Sequence, residues 1–238
     1  MILVAGSANL DFVVRAHHIP QPGETVLGRD FKTFPGGKGA NQAVAAARAG
    51  GVTTHLLAGL GQDAFALPIE ASLAQAGVVL KAVRVQDEPT GTAFICVSDD
   101  AQNAITVAPG ANASLQAQHL PPLTGITHLL LQLETPLATV TAYALAARAQ
   151  GVCVVLNAAP AQALPADLLH AVDILVVNEG ELATVAQHDG SIAACLERIQ
   201  VPTVVVTLGH RGCCARVHGA WVLQSAYPVT PEIGRAHV

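Results

Sequence analysis

Charge is scarce in this chain, and aromatic side chains are scarcer. Of 238 residues, 12% are Asp, Glu, Lys or Arg and 3% are Phe, Trp or Tyr, against a usual charged share of roughly 25%. The formal net charge is −5 and no basic run is interleaved with aromatics. That argues against nucleic acid as the main partner, because phosphate binding needs a basic face. Hydrophobic residues make up 51% of the chain, but Pro, Gln, Asn and Gly break every apolar stretch. None reads as the continuous span of about 20 residues that a membrane helix needs. Met1-Ile2-Leu3-Val4-Ala5-Gly6 has no charged n-region, so no signal peptide is expected. Five cysteines form no C-x-x-C pair. They read as reduced, mostly buried thiols of a cytoplasmic protein. Ten histidines show no H-E-x-x-H spacing, and His17-His18 reads as a loop pair rather than a ligand pair.

What is present is rich in Ala and Val, and it alternates. Apolar runs of strand length are predicted at 2–6, 52–60, 78–84, 127–133, 152–156, 173–177 and 203–207. Helical stretches are predicted at 40–49, 65–76, 115–119, 137–149, 165–170, 179–187 and 191–199. A hairpin is expected around Gly219. Strand–helix alternation implies parallel βαβ units, hence an α/β sheet with helices on both faces. Segments 11–35 and 89–107 lack the helical period and read as short antiparallel strands of a small separate sheet. One domain is the better expectation for this length.

The segment Pro35-Gly36-Gly37-Lys38-Gly39-Ala40-Asn41 opens the first predicted helix. Glycines let a backbone approach a ligand closely. The unpaired amides of a first helical turn suit a polyhydroxy or anionic ligand. The spacing fits neither the P-loop nor the Rossmann fingerprint, which weighs against a nicotinamide or flavin enzyme. Elsewhere, polar residues stand where apolar strands end: Asn9 and Asp11, Glu134, Asn157, then Asn178 with Glu179 and Glu181, and Thr207 with Gly209. One such residue is most often a helix N-cap, and for Asn178 and Thr207 that reading stands beside the functional one. Several together line one rim of a doubly wound sheet, where such sheets bind ligands. Asp11 and Glu134 would accept from sugar-like hydroxyls, with Asn9 and Asn41 beside them. Glu181, about one turn beyond Asn178, would hold Mg²⁺ through water.

In order along the chain, Asn9-x-Asp11, Pro22-Gly23-Glu24-Thr25, Gly36 to Ala43, Gly91, Ala108 to Asn112, Gln132-Leu133-Glu134, Asn157-x-x-Pro160, Asn178-x-x-Glu181 and Thr207-x-Gly209-x-x-Gly212 resemble the PfkB, or ribokinase, family of carbohydrate kinases. The resemblance runs from residue 1 to about 231. It implies a ribokinase-like three-layer α/β/α sandwich with a mostly parallel central sheet and a small β-sheet lid at 11–35 and 89–107. It implies sugar binding by Asn9, Asp11, Gly37, Lys38, Gly39, Asn41 and Glu134. It implies nucleotide contacts by Asn178, Thr207, Gly209 and Gly212, and Mg²⁺ at Glu181. The expected reaction is transfer of the ATP γ-phosphoryl to the primary 5-hydroxyl of D-ribose. Deoxyribose, fructose, 2-keto-3-deoxygluconate or a nucleoside stand as alternative substrates, and a non-catalytic sugar- or nucleotide-binding protein as another reading. K⁺ and a homodimer joined through the lid are further family expectations.

The sequence departs from the family pattern at two places, of which the first puts little in doubt and the second matters. Asn157-Ala158-Ala159 stands where such proteins often have Asn-Pro-Ala. The family's Gly-Ala-Gly-Asp motif, which carries its catalytic base and anion hole, is not found in the sequence. Residues 232–238, Glu232 to Val238, read as a non-native tail, with 1–231 an incomplete domain. Little or no turnover is therefore expected of this chain.

Overall fold

The computed structural model describes residues 1–228; the expectation for 232–238 lies outside them. The chain opens with β1 (Ile2–Ala5), then β2 (Asn9–Arg15), β3 (Arg29–Gly36), α1 (Lys38–Gly50), β4 (Thr54–Gly61), α2 (Ala66–Gln75), β5 (Val79–Val85), β6 (Gly91–Val97) and β7 (Asn103–Ala108). Beyond these come β8 (His128–Leu131), α3 (Leu137–Ala149), β9 (Cys153–Asn157), α4 (Ala166–Ala171) and β10 (Ile174–Asn178). The last elements are α5 (Glu179–Ala186), α6 (Ile192–Glu197), β11 (Thr203–Thr207), β12 (Cys213–Val217) and β13 (Ala220–Gln224). The described residues fall into two compact units, one of Met1–Ala5 with residues 116–228, the other of Gly6–Leu115.

In the first unit β1, β8, β9, β10 and β11 run parallel in that spatial order, and β12 and β13 extend it antiparallel beyond β11. Strands such as HLLL, ILVVN and TVVVT are Val- and Leu-rich because parallel strands are covered on their faces. Register puts Ala5, Leu131, Leu156, Leu175 and Val204 side by side across five strands, each at most 2% exposed. Helix α3 packs on β8, β9 and α4, and α5 on β10, β11 and α6.

In the second unit β4 and β5 pair in parallel. The segments without helical period form a four-stranded sheet ordered β3-β2-β6-β7, with β2 parallel to β6 and the other pairs antiparallel. Helix α1 buries Ala40 and Ala43 and ends at Gly51 in the left-handed region, where a glycine has no Cβ penalty. Helix α2 buries Ala66, Ile69 and Leu73.

The predicted helix at 115–119 does not form. Leu115 and Gln116 are extended, and only 3-10 turns at Gly110–Ser114 and Ala117–His119 flank them. Pro121 and Pro122 follow directly, which disfavours helical backbone at the residue before each.

Candidate functional site

The second unit holds Asn9, Asp11, Gly37, Lys38, Gly39 and Asn41 together. Asn9 and Asp11 are not loop residues after β1. They lie two apart within β2, so both point to one face of the small sheet. Both are buried, at 2% and 8% exposure. Asn9 lies beside Gly36 on β3 and Gly91 on β6, and Asp11 beside Phe34 and Ala93. A Cβ at Gly36 would overlap the Asp11 carboxylate, and one at Gly91 would overlap the side-chain amides of Asn9 and Asn112.

The glycine turn is explained differently from the sequence reading. Gly37, at φ +88°, would place a Cβ 2.8 Å from Ala8 Cα and Asn9 N. Gly39 would place one 2.7 Å from Gly6 C and Ser7 N. These glycines admit the chain's own Gly6–Asn9 backbone. The first-turn amides of α1 are not the open cradle expected either. Gly39 N–H donates to Ser7 Oγ at 3.3 Å and Ala40 N–H to Ser7 O at 2.9 Å. The segment is thus a wall against β2, with Lys38 and Asn41 half-buried along it.

Asn112 was not singled out from the sequence as a site residue. It is 1% exposed, and its side chain bonds both Ala8 N–H and Ala8 C=O, together with Asn9 Oδ1 and Pro109 O. The available signal was its place in Pro109-Gly110-Ala111-Asn112, a turn after a strand. Asp63 is a second residue of this kind. Its carboxylate accepts from Thr90 N–H at 2.7 Å, Thr90 Oγ1 at 2.8 Å, and the Phe65 and Ala66 amides. Burial pushes its pKa up, but the hydrogen bonds from Thr90, Ala66 and Phe65 together outweigh it and hold the group below the ordinary carboxylate value.

The first unit holds Glu134, Asn178, Glu181, Thr207, Gly209 and Gly212. Asn178 and Thr207 are register partners at the C-terminal ends of β10 and β11. Asn157 closes β9 in register with Val176, and half-buried Glu134 follows β8. Asn178 is indeed an N-cap: its Oδ1 accepts from Glu181 N–H and Glu181 Oε2 accepts from Asn178 N–H, both at 2.8 Å. Arg211 pairs with Glu179 at 2.5 Å, which raises the guanidinium pKa further. Leu208 N–H donates to Gly212 O and Gly212 N–H to Gly209 O, so 208–212 closes on itself. Gly209 and Gly212 have φ of +58° and +100°, conformations open mainly to glycine. No cluster of three or more His, Cys, Asp or Glu side chains able to hold a metal occurs among the described residues. The donor set fits an ion that keeps most of its waters and takes one carboxylate, as Mg²⁺ does beside phosphates.

The pfkB family carbohydrate kinase model matches residues 1–231. The chain belongs to this family. Ribokinase of Haemophilus influenzae is 38% identical over 223 residues, covering 89% of this chain and 72% of that protein. Ribokinase of Staphylococcus aureus is 34% identical, over 89% of this chain and 73% of its own. The crystal structure of Arabidopsis thaliana ribokinase complexed with ribose and ATP superposes with a TM-score of 0.85 at 30% identity, covering 97% of this chain and 79% of that one. The carbohydrate-kinase fold, with its mostly parallel sheet and small extra sheet, is the one expected from the sequence.

Proposed function

We propose that this family member phosphorylates D-ribose at its primary 5-hydroxyl, drawing the phosphoryl group from ATP. The observation that carries the reading is the Asn9–Asp11 pair on one buried face of β2, walled by Gly36 and Gly37. A carboxylate and an amide two residues apart form an acceptor and a donor for neighbouring hydroxyls. The similar Haemophilus, Staphylococcus and Arabidopsis proteins support ribose over other sugars.

In this reading Asn9, Asp11, Asn41 and Glu134 orient the sugar, and Gly37 and Gly39 line its site. Lys38 meets phosphate charge. Asn178, Thr207 and the self-closed loop from Gly209 to Gly212 lie against the nucleotide. Glu181 holds Mg²⁺ through water, its carboxylate aimed by the capping box. The bound ion would supply neutralisation of phosphate charge. Positioning and charge compensation dominate phosphoryl transfer, and these are what the assigned residues provide. None of them is assigned as general base, and the K⁺ expectation has no residue among them. The small sheet acts as a lid over the sugar. Its exposed Phe31 and Phe94 on one face, and Ile105 and Val107 on the other, support a homodimer joined there, since exposed apolar patches mark interfaces. Five free cysteines support a cytoplasmic location.

Titration calorimetry on this chain tests the assignment. Asp11→Ala and Glu134→Ala should each weaken D-ribose binding about tenfold to a hundredfold, the worth of a hydrogen bond to a charged group. ATP affinity should stay within about twofold. Equal losses for both ligands would remove the sugar-site assignment.

A further inference from the structure

The side chain of Asn112 makes four hydrogen bonds, all within the unit that holds the proposed sugar residues. Its Oδ1 accepts from Ala8 N–H at 3.0 Å. Its two Nδ2 hydrogens are shared among Ala8 O at 3.2 Å, Pro109 O at 3.0 Å and Asn9 Oδ1 at 2.8 Å, the last being the shortest. The first two bonds pair a side-chain amide with both peptide groups of one residue, as a neighbouring strand would. The last has a chemical consequence. An asparagine amide has one accepting end and one donating end. With Asn9 Oδ1 committed to Asn112, the end of Asn9 that remains for a ligand is the donor.

We infer that Asn112 is a positioning residue that sets the polarity of Asn9, so that the β2 face offers a donor at Asn9 next to an acceptor at Asp11. A ligand must then present one hydroxyl as acceptor and the next as donor, the pattern of a sugar with adjacent hydroxyls. Three features of the chain serve this arrangement. Asn112 is carried on the 3-10 turn Gly110–Ser114 immediately after β7, and Asn9 begins β2, so the bond joins the end of β7 to the start of β2 at one end of the small sheet. Residue 91 must be glycine, because a Cβ there would overlap both amides at once. Asn9 and Asn112 are 2% and 1% exposed, so water does not compete for the bond, and in such a site an unmatched polar atom is costly. Two oxygen acceptors cannot face each other there, which makes the orientation of Asn9 follow from the identity of residue 112.

This inference rests on the sugar-site reading of Asn9 and Asp11, but one of its tests is independent of any ligand. In the unsubstituted, ligand-free chain, side-chain amide NMR should show the Asn112 Nδ2 protons hydrogen-bonded and protected from exchange, and the Asn9 Nδ2 protons not bonded to Asn112. Asn9 Nδ2 protons that donate to the Asn112 side chain would overturn the inference. The Asn112→Asp variant is nearly isosteric and keeps an acceptor for Ala8 N–H, but it puts oxygen against Asn9 Oδ1. The Asn9 amide should turn over, so that its Nδ2 protons donate to residue 112 and become protected from exchange. D-ribose affinity should fall about tenfold while ATP affinity stays within about twofold. Unchanged ribose affinity with an unchanged Asn9 orientation, or equal loss of both ligands, would reduce Asn112 to a structural residue. If the unsubstituted chain bound ATP but no ribose, the sugar-site reading would fail, while the amide contacts would still decide how Asn9 is held.

Discussion

Single atoms decide much of this site. Gly36 carries no side chain because the Asp11 carboxylate occupies the space a Cβ would need. Gly36→Ala should therefore destabilise the chain by about 1–3 kcal/mol, the usual cost of overpacking, and weaken ribose binding by displacing Asp11. A urea melt measures the first effect. Shortening the carboxylate in Asp11→Ser/Gly36→Ala should recover part of the lost stability, so the double-mutant cycle should be non-additive; strict additivity would refute the contact. This level of detail was only partly legible in the sequence. Asn9, Asp11 and Gly36 stand out as residue types in a pattern. That Gly37 and Gly39 make room for the chain's own Ser7 backbone is invisible until Gly6–Asn9 and Gly36–Asn41 are brought together. Asn112 was hidden for the same reason, lying 103 residues from Asn9.

At the scale of elements, the parallel strands announced themselves through Val and Leu runs, and α3 through an uninterrupted stretch from Leu137 to Ala149. The stretch at 115–119 misled because five residues cannot establish a period, and Pro121-Pro122 outweighed their propensity. The connection from β4 to α2 and β6 turns on Asp63, which binds Thr90 by both backbone and side chain. Its folded pKa is lowered. The stability it contributes is therefore fully present above the unfolded carboxylate pKa of about 4 and is lost as pH falls through the folded value. Asp63→Asn should lower the melting temperature at neutral pH, and the gap from the parent should narrow progressively below about pH 4. A gap that stayed constant across a calorimetric pH series would show that the charge of Asp63 plays no part.

Across the molecule, each unit has its own buried centre. In the first it is the row Ala5, Leu131, Leu156, Leu175 and Val204. Leu156→Ala removes the middle of that row and should cost about 2–5 kcal/mol. The single tryptophan, Trp221 on β13, reports on this unit, so its fluorescence should show a lower urea midpoint at unchanged slope. A midpoint shift seen only by probes in the other unit would contradict this placement. The fold class followed from alternation alone, whereas the division into two units did not, since no linker-like composition marks Ala5–Gly6 or Leu115–Gln116. The small sheet has one further property. Its base is tied by Asn112 to Ala8, by Thr90 to Asp63 and Gly61, and by Ala111 N–H to Pro89 O. Its outer strands run into solvent, with every residue of β7 exposed. The far end has ties of its own: Arg29, which opens β3, pairs with Asp99 in the β6–β7 turn, and Ala16 N–H donates to Val97 O at 3.0 Å. What stays unsupported is the outer edge of β7. Amide exchange should be slow at Ala8, Thr90 and Ala111, on the base that carries the proposed sugar residues Asn9 and Asp11, and fast along the exposed edge of β7.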